Sequence, residues 1–130
     1  MANIASVDAG SFEERVLAAG HTVVVDFYAD WCGPCHRMAP VLERLADELD
    51  TEVEFVKLDV DASPEIASAY RVSTIPAIIR FDEGRPTHWS VGVRSGSALS
   101  RELKLRPKPR ADAHRAGGLF RRLWHDAPDG

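Results

Sequence analysis

The run Thr22-Val23-Val24-Val25-Asp26-Phe27-Tyr28 constrains this chain more than any other segment. Its β-branched and aromatic residues have the length and continuity of a strand buried on both faces, the kind found where helices cover a sheet on each side. Asp26 is the one residue in it that spoils the apolar pattern. Directly after it come Ala29-Asp30-Trp31-Cys32-Gly33-Pro34-Cys35, and then Cys35, Met38, Ala39, Leu42, Leu45, Ala46 and Leu49 recur at the three-and-four spacing of an amphipathic helix. Arg37, Glu43, Asp47 and Glu48 fall on the opposite face. A buried strand therefore passes the chain through a two-cysteine turn straight into a docked helix. Pro34 suits the first helical turn, where its missing N–H costs nothing, while Pro40 falls in the interior and should kink the axis.

The remaining elements fit around this unit. Ser11-Phe12-Glu13-Glu14 has the form of a capping box and predicts a first helix ending at Gly20. Residues 53–60 read as a second buried strand, and Ser63-Pro64-Glu65 as the start of a short helix running to about Tyr70. Ala77 to Phe81 and Thr87 to Val91 read as a β-hairpin whose turn at Asp82-Glu83-Gly84 is slightly longer than two residues. A closing helix runs from about Ser95 to Leu103 and stops before Pro107, and a weak strand around Asn3 to Val7 adds an edge. The order predicts an α/β fold, a central mixed β-sheet flanked by helices on both faces. With 130 residues and 45% apolar side chains the chain can bury one substantial core.

A bare C-x-x-C serves zinc knuckles, haem attachment and redox dithiols alike, and an inert core pair or static disulfide is the plain alternative. Here the pair lies between a buried strand and the first turn of a helix. Cys32 is thus placed where free backbone N–H groups and the positive end of the helix dipole converge, which favours a thiolate. Gly33-Pro34 makes the turn between the sulfurs tight and stiff. Cys32 precedes the helix and is expected to be exposed, whereas Cys35 belongs to the apolar stripe. Cys32 is then the attacking sulfur and Cys35 the resolving one, and Cys35 needs an acceptor for its proton.

The stretch from Val25 to Cys35, with Pro40, resembles the signature of the thioredoxin family, and the likeness continues through Lys57-Leu58-Asp59-Val60-Asp61, Thr74-Ile75-Pro76, Gly84 and Gly92. It covers about residues 1–105 and leaves 106–130 unmatched. The resemblance implies a protein-disulfide reductase that works by dithiol–disulfide exchange, carries electrons in cellular redox balance and needs no bound cofactor or metal. It implies that Asp26 is the buried carboxylate accepting the Cys35 proton, with Lys57 as its electrostatic companion. A carboxylate set in a Val/Phe strand should have a raised pKa, which suits that task. Pro76 would be a cis-proline facing the dithiol, and the Ile75 backbone would pair with a bound substrate strand. Trp31, Ile75, Val91 and Gly92, with Gly33 and Pro34 beside the sulfurs, would form a flat apolar patch for protein substrates. Two residues depart from the common pattern. Tyr28 stands where many members carry a second Trp, and His36 where Lys or Arg is frequent. A protonated His36 one turn from the sulfur could make Cys32 reactivity depend on pH near neutrality.

Net charge is −4, but unevenly spread: residues 1–103 hold 17 Asp and Glu against 9 Lys and Arg, and residues 104–130 hold 3 against 7. The acidic part argues against nucleic acid as a partner. The expected partners are protein disulfides and an NADPH-dependent thioredoxin reductase, with the chain itself a monomer. The first ten residues have no basic or long apolar stretch, and no run of about twenty apolar residues could span a bilayer, so a cytoplasmic protein is expected. Residues 106–130 read as a basic extension, with Leu119, Phe120, Leu123 and Trp124 able to line one helical face. This extension supports a rival reading, a binding module that docks a partner while redox turnover is incidental. An oxidase or isomerase on the same fold is the nearer rival, against which Gly33-Pro34 and the absence of an export signal both weigh.

Overall fold

The computed structural model describes residues 4–49 and 52–106. The reading of 107–130 as part of a basic extension, and of Asn3 as the start of an edge strand, falls outside them.

Five strands form one sheet in the order β1-β3-β2-β4-β5: β1 Ala5–Val7, β2 Thr22–Tyr28, β3 Val53–Asp59, β4 Ala77–Asp82 and β5 Arg85–Val91. β1 and β2 run parallel to β3, while β4 runs antiparallel to β2 and to β5. The chain adds a short π-helical segment Glu13–Leu17 and three helices, α1 Gly33–Glu48, α2 Pro64–Ala69 and α3 Gly96–Glu102. The mixed sheet covered on both faces is the α/β architecture that the alternation of strands and helices predicts.

Strand alternation divides the core into two layers. Val23, Val25 and Phe27 of β2 pack with Val56, Leu58, Ile79 and Phe81 beneath Phe12, Val16 and Ala67. Val24 faces the other way and packs with Phe55 and Ile78 against Met38, Leu42 and Leu45 of α1 and Leu99 of α3. Asp26, two residues on from Val24, therefore belongs to the α1 side. In register it lies between Lys57 of β3 and Ile78 of β4.

Local expectations fail in three places. The Ser11 capping box does not form. The Asp8 N–H donates to Ser11 Oγ and the Ser11 N–H to Asp8 Oδ1, so Ser11 closes a turn, and Phe12 stands at the helix start with no side-chain cap. Phe12 is 2% exposed and meets the Phe81 ring edge-on at 5.8 Å. Seating that ring sets where the helix begins, and the segment then closes with an Ala18 N–H to Glu13 C=O bond of 2.8 Å, one residue longer than α. Ser63 likewise does not cap α2, since its Oγ accepts the Ala9 N–H at 3.0 Å and ties the β1 loop to the start of α2. The hairpin turn is tighter than expected. Asp82 pairs with Arg85, leaving only Glu83 (φ 52°) and Gly84 (φ 81°) as a two-residue turn in the left-handed region. The residue counted into the turn reappears as a bulge, because Arg80 pairs with His88 and Phe81 with Pro86. Thr87, skipped by the register, donates its hydroxyl to Asp82 Oδ2 at 2.6 Å.

Among the described residues no helix is long and apolar enough to cross a membrane.

Candidate active site

β2 ends at Tyr28, and the buried Ala29 turns the chain, its carbonyl accepting the Cys32 N–H at 3.1 Å. Cys32 is the N-cap of α1: its backbone is extended (φ −89°, ψ 108°) and its Sγ accepts the Cys35 N–H at 3.2 Å. Sulfur here does the work an oxygen does in an ordinary cap, and the helix N–H group it satisfies is one that stabilises negative charge on it. Pro34 occupies the first turn, where α1 needs no donor from it. Pro40 lies inside α1 and leaves the His36 carbonyl without its helical partner one turn on.

Cys32 and Cys35 are joined as a disulfide, their Cα atoms 5.3 Å apart. The expected contrast in exposure does not hold. Cys32 is 4% and Cys35 5% exposed, because Tyr28, Val60 and Ile75 pack around the pair. Polar environment separates the two sulfurs: Cys32 Sγ holds the helix N–H and lies 3.9 Å from the Ile75 carbonyl oxygen. A Cβ at Gly33 would meet nothing within 4 Å, so the approach beside the disulfide is open.

Ile75–Pro76 is a cis peptide that faces the disulfide, with the Gly92 N–H donating to the Pro76 carbonyl at 2.8 Å. Gly92 adopts φ 91°, a backbone conformation open to glycine and strained for other residues. Val91 pairs with Ala77, the residue after Pro76, and is exposed. Trp31 flanks the pair at 71% exposure, its indole N–H donating to Asp61 Oδ2 at 2.7 Å.

Asp26 lies in the same layer as α1. It is buried, and its Oδ1 has no hydrogen-bond partner among the described residues. Burial pushes its carboxyl up to about 7, against a smaller downward pull from the Lys57 cation. Lys57 Nζ stands 5.5 Å from the centre of the Tyr28 ring, near enough for a cation–π contact. Burial and the neighbouring Asp59, Asp30 and Asp26 raise the Tyr28 phenol above its ordinary value.

Trp31 to Cys35, Ile75, Pro76, Val91 and Gly92 thus lie at the C-terminal end of β2 and in the loops beside it, while Asp26 and Lys57 lie within the sheet and Gly84 in the β4–β5 turn. Sequence reasoning missed Asp61 as the anchor of Trp31 and Tyr28 as the ring beside Lys57. Both lay within quoted motifs, and only the pairing of β3 with β2 brings them to the site.

A helix-capping disulfide just past the strand that carries a buried carboxyl of raised pKa defines a thiol–disulfide oxidoreductase. Residues 3–105 match the family described as Thioredoxin. The chain is 47% identical over 93 residues to the thioredoxin of Mycobacterium tuberculosis (strain H37Rv), covering 72% of this chain and 80% of that protein. It is 38% identical over 95 residues to a thioredoxin-like protein of Synechocystis, covering 73% and 90%. It is also 45% identical over 93 residues to the bifunctional thioredoxin reductase/thioredoxin of Mycobacterium leprae, covering 72% of this chain and 20% of that protein. The chain belongs to the thioredoxin family and is a protein-disulfide reductase.

Proposed function

We propose that Cys32 is the nucleophile, Cys35 the resolving thiol, and Asp26 the proton acceptor between them. In the reduced protein the Cys32 thiolate attacks one sulfur of a substrate disulfide, forming a mixed disulfide and releasing the other substrate sulfur as a thiolate. Asp26 takes the Cys35 proton, the Cys35 thiolate attacks Cys32 Sγ, and the second substrate sulfur leaves as a thiolate as the Cys32–Cys35 disulfide closes. Lys57 steadies the negative charge that Asp26 carries before it accepts the proton. Trp31, Gly33, Pro34, Ile75, Pro76, Val91 and Gly92 form the surface on which the substrate lies. The observation that carries this assignment is the Cys35 N–H held on Cys32 Sγ at the start of α1, which favours the thiolate on Cys32 alone.

The oxidised protein is returned to the dithiol by a thioredoxin reductase using NADPH, and the M. leprae relative, named as both activities in one chain, supports that partner. The protein works in the cytoplasm as a monomer, with residues 1–105 as its redox domain and 106–130 as a basic extension.

The deciding experiment is the equilibrium reduction potential of the cysteine pair, read from Trp31 fluorescence. A potential more reducing than the glutathione pool is expected. One close to the poise of oxidising compartments, about −180 mV, would reassign the protein as an oxidase or isomerase.

A further inference from the structure

Four large apolar side chains stand exposed among the described residues, and three of them lie within five positions at the end of β5: Trp89 at 52%, and Val91 and Val93 at 42% each. The fourth is Trp31, across the disulfide. In a core where Phe12, Phe27 and Phe81 are at most 2% exposed, a half-exposed tryptophan is apolar surface that the fold has not used.

Its position is fixed by register. Trp89 pairs with Ile79 and Val91 with Ala77, so both side chains project from one face of β5, with Trp89 about 7 Å farther from the disulfide. Ser90, between them, points the other way. It is 3% exposed and its hydroxyl bonds Glu102 of α3, so α3 covers the opposite face of this strand. Among the described residues β5 is an edge strand with no further strand beside it. The Trp89–Val91 stripe runs unbroken into Gly92, whose N–H holds the Pro76 carbonyl beside the sulfurs.

We infer that Trp89 extends the substrate face along β5 and selects disulfide-bearing polypeptides with a bulky apolar side chain about two residues from the attacked cysteine. The inference rests on the reading that the Ile75-Pro76 and Val91-Gly92 segments receive the substrate. With the attacked cysteine seated at Pro76, beside Val91 and Gly92, a polypeptide in extended form advances about 3.4 Å per residue and covers the roughly 7 Å on to Trp89 in two residues. A small disulfide has no arm long enough to reach it.

The test uses two symmetric peptide disulfides, each chain with a single cysteine and either Phe or Ser on both sides two residues away, together with bis(2-hydroxyethyl) disulfide. With excess dithiothreitol as the electron source and its direct reaction subtracted, the full chain is expected to reduce the Phe peptide with a kcat/KM roughly tenfold higher than the Ser peptide, the difference residing in KM. Trp89→Thr should abolish that preference and leave the rate with the small disulfide unchanged, and Trp89→Phe should keep most of it. A wild type without the preference overturns the inference, as does a Trp89→Thr protein that keeps it or that slows on all three substrates alike. Failure of the wild type to reduce even the small disulfide would instead remove the redox reading beneath it.

Discussion

Asp26 is an acid held neutral by its surroundings through most of the pH range below 7. Between its ordinary value of 3.8 and about 7 the folded chain keeps a proton that the unfolded chain has lost, so folding stability falls as pH rises through that window and levels off above it. A displacement of about three pKa units corresponds to roughly 4 kcal/mol at pH 8. Asp26→Asn should therefore be the more stable protein at pH 8 by up to that amount and lose the decline between pH 4 and 7, as urea midpoints across pH would show. The same variant should resolve mixed disulfides slowly. His36 sits at the motif's other edge, where its Nε2 donates to the Asp30 carbonyl at 2.6 Å and closes a ring of contacts around Trp31 to Cys35. Removing that bond with His36→Ala should cost about 0.5–1.5 kcal/mol and lower the fluorescence anisotropy of Trp31, whose loop it tethers. Asp26 was legible in the sequence because it interrupts an apolar strand pattern, and the two sulfurs because they bracket the turn into a helix whose apolar stripe Cys35 begins. The equal burial of Cys32 and Cys35 was not legible, since it comes from Tyr28, Val60 and Ile75, residues of three separate segments.

Elements whose stability comes from periodic apolar residues could be read directly: β2, β3, β4, α1 and α3 stand within a residue or two of their expected bounds. Side-chain caps read from short polar signals could not, although α2 does run over the residues expected of it, Pro64–Ala69. Ser11 and Ser63 both carry the chemistry of a cap, and each spends its hydroxyl on a loop instead, because Phe12 and the β1 connection make tertiary demands that outweigh a local bond. The hairpin length was misjudged for a related reason, since a bulge and a longer turn use the same number of residues. Gly84 shows what the observed turn requires. Its φ of 81° is left-handed, and a Cβ there would be driven into the Leu17 backbone carbonyl of the π-helical segment. Gly84→Ala should destabilise the protein by at least about 1–3 kcal/mol and lower Tm by roughly 5–15 °C in a calorimetric scan, with the reduction potential unchanged.

At the scale of the whole molecule, the order β1-β3-β2-β4-β5 makes β2 the central strand, paired with a neighbour on each side, and Asp26 is in register with Lys57 and Ile78. The sulfurs lie beyond its end, in a turn bounded by loops from β3, β4 and β5. Backbone amides of Val24 to Phe27 should therefore exchange with deuterium only through global unfolding, while those of Trp31 and Gly33 exchange by local opening, a contrast that native-state exchange measured in both redox states would reveal. Asp26 is then fixed by strands on both sides, whereas the equally buried sulfurs are fixed by the turn beyond the strand and the first turn of α1. Because Lys57 and Ile78 flank Asp26 through the sheet, a protein that docks on the disulfide turn meets a carboxyl whose surroundings are set by the strands and not by the docked surface.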